Sequence, residues 1–105
     1  MRKLLLLPIL LLPAGSAPRY VAVEISKYNY HPFQIEIHPG ETVVWENRDA
    51  ADHTVTCEYG DLSFDSGRIS VGGSFRHTFV REGYYHYHST LDENMYGEVV
   101  VKPEY

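Results

Sequence analysis

The feature that most constrains this chain is a two-residue rhythm of apolar and polar side chains, repeated between turns from Val21 to Val101. Such alternation puts every second side chain on one face and belongs to half-buried strands; no stretch has a helical period. Val21, Val23 and Ile25 alternate with Ala22, Glu24 and Ser26, and Phe33, Ile35 and Ile37 alternate with Gln34, Glu36 and His38. A turn at His38-Pro39-Gly40 leads to a third strand, Glu41–Asn47, with Val43, Trp45 and Asn47 on one face. After a polar loop to Asp52, a fourth strand is predicted over His53–Cys57, with His53, Val55 and Cys57 aligned. Glu58–Gly73 reads as a loop tied to the core by Phe64 and Ile69. Phe75, His77 and Phe79 align on a fifth strand, Ser74–Val80; Tyr84–Ser89 and Glu98–Lys102 follow. Seven to eight short strands with one apolar face predict an all-β fold, a Greek-key two-sheet sandwich.

The first residues are expected to stand apart from it. Met1-Arg2-Lys3 is basic, Leu4–Pro13 is a ten-residue apolar run, and Ala14-Gly15-Ser16-Ala17 supplies small residues. This predicts a signal peptide over 1–16 and a single domain over 17–105, secreted or periplasmic. As a helix the apolar run would reach about 15 Å, against a hydrocarbon core of about 30 Å, so it is too short to span a membrane.

Charge narrows the partners. Of nine Lys and Arg against fourteen Asp and Glu, Arg2 and Lys3 lie in the leader, so its removal takes the formal charge from −5 to −7. Nucleic acid and anionic membrane both require a basic face. A metal ion, or a basic protein partner at an acidic end, fits this balance. Cys57 is the sole cysteine, so no intramolecular disulfide is possible.

One stretch carries the chemistry. Gly83–Gly97 reads G-Y-Y-H-Y-H-S-T-L-D-E-N-M-Y-G: an aromatic strand, a short polar loop, then Met95 and Gly97 ahead of Val99-Val100-Val101. With H-P-F-Q-I-E-I-H-P-G-E-T-V-V-W-E-N-R-D, D-H-T-V-T and F-D-S-G-R-I-S-V-G-G-S-F-R-H-T-F upstream, Tyr28 to Val101 resembles the plastocyanin-like cupredoxins, in the amicyanin and pseudoazurin style of short copper loop. The resemblance implies a copper site made by an early histidine and a late C-x-x-H-x-x-M. His53 and Met95 fall on the first and last of those positions. Ser89 stands where the cysteine is expected and Asp92 where the second histidine is expected.

Those two residues change the chemistry. A blue-copper site needs a Cu–thiolate bond within a His₂Cys plane, and a serine hydroxyl does not replace that sulfur. Cys57 does not either, since four strand residues put it about 13 Å from His53; it reads as a buried thiol. The expected donors are therefore His53 as nitrogen ligand, Asp92 as oxygen ligand, Met95 as weak sulfur ligand and Ser89 as a weak fourth. An imidazole–carboxylate set suits Cu(II) or another divalent ion. Asp49, Asp52, Asp92 and Glu93 are expected to make this end acidic.

The function expected is a non-blue metal site, copper first, in copper binding or handling and not in enzyme catalysis. Two alternatives remain: a metal-free interaction module on the same scaffold, and a ligand-altered copy of a blue-copper electron carrier. Of the other histidines, His86 and His88 project from one face of a strand, His77 sits among phenylalanines, and His31 and His38 adjoin prolines in turns. Ser89 with a histidine and Asp92 has the composition of a hydrolytic triad, but no nucleophile elbow or oxyanion hole accompanies it.

Overall fold

The computed structural model describes residues 19–104; the expected leader, 1–16, lies outside them. Nine strands follow in order: β1 (Tyr20–Ser26), β2 (Asn29–His31), β3 (Gln34–Ile37), β4 (Glu41–Asn47), β5 (Thr56–Cys57), β6 (Phe64–Asp65), β7 (Ser74–Phe79), β8 (Gly83–Ser89) and β9 (Asp92–Val101). They form two sheets, ordered β2-β1-β4-β7 and β3-β9-β8-β5-β6. The chain passes between the sheets repeatedly, and β1 with β4 and β3 with β9 pair in parallel. This is the all-β sandwich that the alternation predicts.

The apolar phase of each strand points into one shared core. Val23 and Ile25, Val43 and Trp45, Tyr85 and Tyr87, Met95, Val99 and Val101 are all buried in it, with Phe64 packed at its margin and Ile69 inside. At its centre the Tyr87 ring meets Tyr30 edge-on at 4.6 Å and Trp45 at 5.4 Å. Burial raises both tyrosine hydroxyls well above their ordinary pKa, so neither ionises.

The two hydroxyls differ in partners. Tyr30 Oη donates to Thr54 O at 2.7 Å, whereas buried Tyr87 Oη has Trp45 Nε1 as its polar neighbour, without a well-formed hydrogen bond. Tyr30→Phe strands a buried carbonyl acceptor and is expected to cost about 1–2 kcal/mol; Tyr87→Phe removes a hydroxyl with only a poorly formed contact to Trp45 Nε1 and is expected to cost less. Urea unfolding of the two variants, side by side, checks the contrast.

Three expectations need correction. The fourth strand is not continuous over His53–Cys57: only Thr56–Cys57 is strand, and His53 makes one isolated bridge, to Ile69. The reason is that Thr54 N–H and Val55 N–H donate to Ser89 Oγ (3.2 Å) and Ser66 Oγ (2.8 Å), so side chains replace the ladder. His31 is on β2, not in a turn, because Lys27-Tyr28 at positive φ makes a two-residue hairpin that pairs Ser26 with Asn29. His38 does stay in the turn before β4, half-exposed, with Nδ1 2.9 Å from Lys102 O. The late polar loop is shorter than expected: Ser89 pairs with Asp92 around Thr90-Leu91, and β9 starts at once, with a register shift beside Ser89.

Candidate metal centre

The site lies where the loop after β4 meets the end of β8. Asn47, fully buried at the end of β4, shapes that loop. Its amide donates to Ala51 O (3.0 Å) and Ile69 O (2.9 Å), and its Oδ1 accepts from Asp49 N–H (3.0 Å). Asp49 is thereby turned inward. The backbone bridge between His53 and Ile69 (3.2 and 2.7 Å) fixes the histidine from the other side.

His53 has no exposed surface, and both its ring nitrogens are spoken for. Nε2 is 2.8 Å from Asp49 Oδ2, and Nδ1 is 3.4 Å from Ser89 Oγ. Asp49 also accepts from Tyr28 N–H (2.9 Å) and Ala50 N–H (2.8 Å). Burial pushes the Asp49 carboxyl up, but hydrogen bonds from Ala50, His53 and Tyr28 outweigh it and hold the group below its ordinary value. An ionised carboxylate only accepts, so Nε2 donates to Asp49, and in the neutral ring Nδ1 presents its lone pair toward Ser89. The Tyr28 ring, on the β1–β2 hairpin, covers His53 edge-on at 5.7 Å.

Ser89 is equally fixed. Its oxygen accepts from Thr54 N–H at 3.2 Å and Leu91 N–H at 3.3 Å, leaving its own proton for His53 Nδ1. Thr90 N–H donates to Thr54 Oγ1 (2.9 Å), which pins the hairpin turn to the His53 segment.

The four expected donors are thus unequally placed. His53 and Ser89 are in contact, and Met95 is fully buried in the core. Asp92 is half-exposed; its carboxylate accepts from Asn94 N–H at 3.1 Å and makes no side-chain hydrogen bond to His53 or Ser89 among the described residues. Among those residues no three His, Cys, Asp or Glu side chains converge as a ready ligand set. Cys57 is buried, and burial raises its thiol pKa. The expected acidic end is partly neutralised: Asp49 faces His53, and Asp52 takes Arg68 at 3.4 Å and Val71 N–H at 3.2 Å.

Sequence reasoning did not anticipate the Asp49–His53 pair. The available signal was an acid four residues before the histidine within a loop whose ends both join the core.

Do these residues fit a metal? A ligating histidine almost always gives its other ring N–H to a carboxylate or carbonyl, and the Asp49–His53 pair supplies that arrangement. Two donors on one tetrahedral divalent ion, at bonds of about 2.0–2.1 Å, stand roughly 3.3–3.4 Å apart. The 3.4 Å between Nδ1 and Ser89 Oγ matches. The nitrogen fits; the oxygen is a weak donor.

Comparison with known proteins bears on the family. A family profile described as copper binding proteins, plastocyanin/azurin family, matches residues 19–102. Amicyanin from Paracoccus denitrificans is 31% identical over 85 residues, covering 78% of this chain. The chain spans 65% of the length of that curated relative. Among solved structures, a Cu(I) form of an amicyanin point mutant superposes with a TM-score of 0.76 at 32% identity, covering 82% of this chain and 85% of its own. A purple cupredoxin from Nitrosopumilus maritimus superposes at 0.71 with 28% identity, covering 78% and 99%.

Proposed function

The chain belongs to the plastocyanin/azurin family of copper-binding proteins, and from that premise we propose that it is a secreted or periplasmic copper-binding protein with a non-blue site, not an enzyme and not a type 1 electron carrier. His53 Nδ1 is the principal donor, Met95 a weak sulfur donor, Asp92 an oxygen donor and Ser89 a weak fourth. The observation that carries this reading is the orientation of His53: Asp49 holds Nε2 at 2.8 Å, so Nδ1 is aimed at the Ser89 hydroxyl, which a metal would displace as its partner. Copper held there would act as a bound Lewis-acidic ion without the thiolate on which blue colour depends. Asp49 keeps the ring in one tautomer, Tyr28 shields it from water, and Thr54 fixes the facing hydroxyl.

Cu(II) titration followed by EPR tests this, in a chain whose surface imidazoles are removed (His86→Asn, His88→Asn) so that they do not compete. One bound Cu(II) with nitrogen coupling and no intense blue absorption is expected. Asp92→Asn should weaken it and His53→Ala should abolish it. An unaltered spectrum in His53→Ala, with folding verified by circular dichroism, overturns the reading.

A second reading has its own support. Ser89 satisfies Nδ1 without any metal. A metal-free module would use Asp92 and Glu93 to meet a basic protein partner. It requires a melting temperature indifferent to copper and chelator, whereas a bound ion raises it by mass action. If the chain is instead a ligand-altered electron carrier, Ser89→Cys with Asp92→His restores blue colour.

A further inference from the structure

We propose that the outer face of β8 carries a second metal site, a surface clip for Zn(II) or Cu(II) made by His86 and His88 with Glu58. Period-two geometry turns both imidazoles outward, away from buried Tyr85, Tyr87 and Ser89, with Cα atoms about 6.6 Å apart. That spacing lets two rings on one face reach a common ion.

Carboxylates flank the pair on both sides. Glu98 is the direct cross-strand partner of His86 on β9, and its Oε2 stands 2.9 Å from His86 Nε2. Its other oxygen accepts from the Gln34 amide. Glu98 therefore anchors one ring nitrogen and leaves the second for a metal, which is how outer carboxylates orient ligating histidines. On the other side Glu58, just past β5, puts Oε2 3.8 Å from His88 Nε2. This is too long for a hydrogen bond and within reach of a side-chain rotation. The Tyr59 ring meets His86 edge-on at 5.9 Å. Glu58, Tyr59, His86, Tyr87, His88 and Tyr96 line one open cleft of about 430 Å³.

The chemistry selects the ligand. Two imidazoles with a carboxylate are the donors preferred by Zn(II) and Cu(II), and Mg(II) or Ca(II) would want oxygen alone. The three donors do not yet converge, so the ion itself closes the clip by turning exposed side chains between rotamers. Surface His–Glu contacts contribute little to stability, and the fold does not depend on them.

Titration of the full ¹⁵N-labelled chain with zinc sulfate, read on the histidine ring resonances, tests the site. Zinc should shift the His86 and His88 rings together, saturating at one equivalent. Glu98→Gln should weaken binding about tenfold, and His86→Asn with His88→Asn should remove it while leaving the fold intact. Shifts confined to His53, or no shift of either β8 ring, overturn the proposal. Because each ring is read separately, the outcome is independent of whether copper binds His53.

Discussion

Asp49→Ala is expected to destabilise the protein by about 3 kcal/mol. The substitution strands a buried imidazole N–H and the Tyr28 amide, each costing about 1–3 kcal/mol when left without a partner. It also releases the loop, since Asp49 links the β1–β2 hairpin to the His53 segment, which in turn touches Ser89 at the end of β8. Urea unfolding at neutral pH measures the loss, and a change below about 1 kcal/mol would show that the network is incidental. Asp49→Asn separates charge from shape. The carboxyl has its pKa held below the ordinary value, so its contribution is present above the ordinary aspartate pKa, about 4, and is lost as pH falls through the lowered folded value. The stability gap between parent and Asp49→Asn should therefore be widest near neutrality and close in acid. If His53 holds copper, the same variant should also weaken that binding about 10–100-fold.

Gly97→Ala should cost about as much for a wholly different reason. Gly97 lies across the ladder from Tyr87, and a methyl group there would meet Tyr87 Oη at 2.5 Å, Cζ at 2.6 Å and Cε2 at 3.0 Å. The ring has no room to retreat, being wedged between Tyr30 and Trp45. Overpacking of this kind costs about 1–3 kcal/mol, and the rigidity of the ring puts this case at the upper end. A smaller residue at the facing position should compensate: Gly97→Ala with Tyr87→Leu is expected to be more stable than the two separate effects summed. Additive losses in that double-mutant cycle would mean that the methyl clash is not the cause.

These two positions also show what a sequence reveals and what it conceals. β4 was legible to its last residue because Val43, Trp45 and Asn47 alternate cleanly against Thr42, Val44 and Glu46. β7 and β8 were legible for the same reason. β2 was not, since three residues carry too little pattern; it exists because Tyr30 reaches across the core to Thr54. The His53 segment has strand composition, yet its amides take serine oxygens from two other segments, and no local pattern announces such partners. Of the candidate site, the resemblance pointed to His53 and Ser89, which the fold brings into contact. The role of Asp49 depends on a loop conformation set by the buried Asn47 side chain, which alternation cannot encode. Asp92 was identified by counting, and its place on a two-residue hairpin follows from a register shift that counting does not detect.

The parallel pairing of β3 with β9 bears on how the molecule is made. Gln34 to Ile37 finds its partners at Glu98 to Val101, so a chain emerging from its N-terminus completes the β2-β1-β4-β7 sheet first. Throughout that interval β3 waits as an open edge, displaying Ile35 and Ile37 with unpaired amides. Such waiting edges invite pairing with other chains. A nascent chain interrupted anywhere before β9 would thus be the sticky species, and rapid completion of the last ten-residue strand is what closes the window for misassembly.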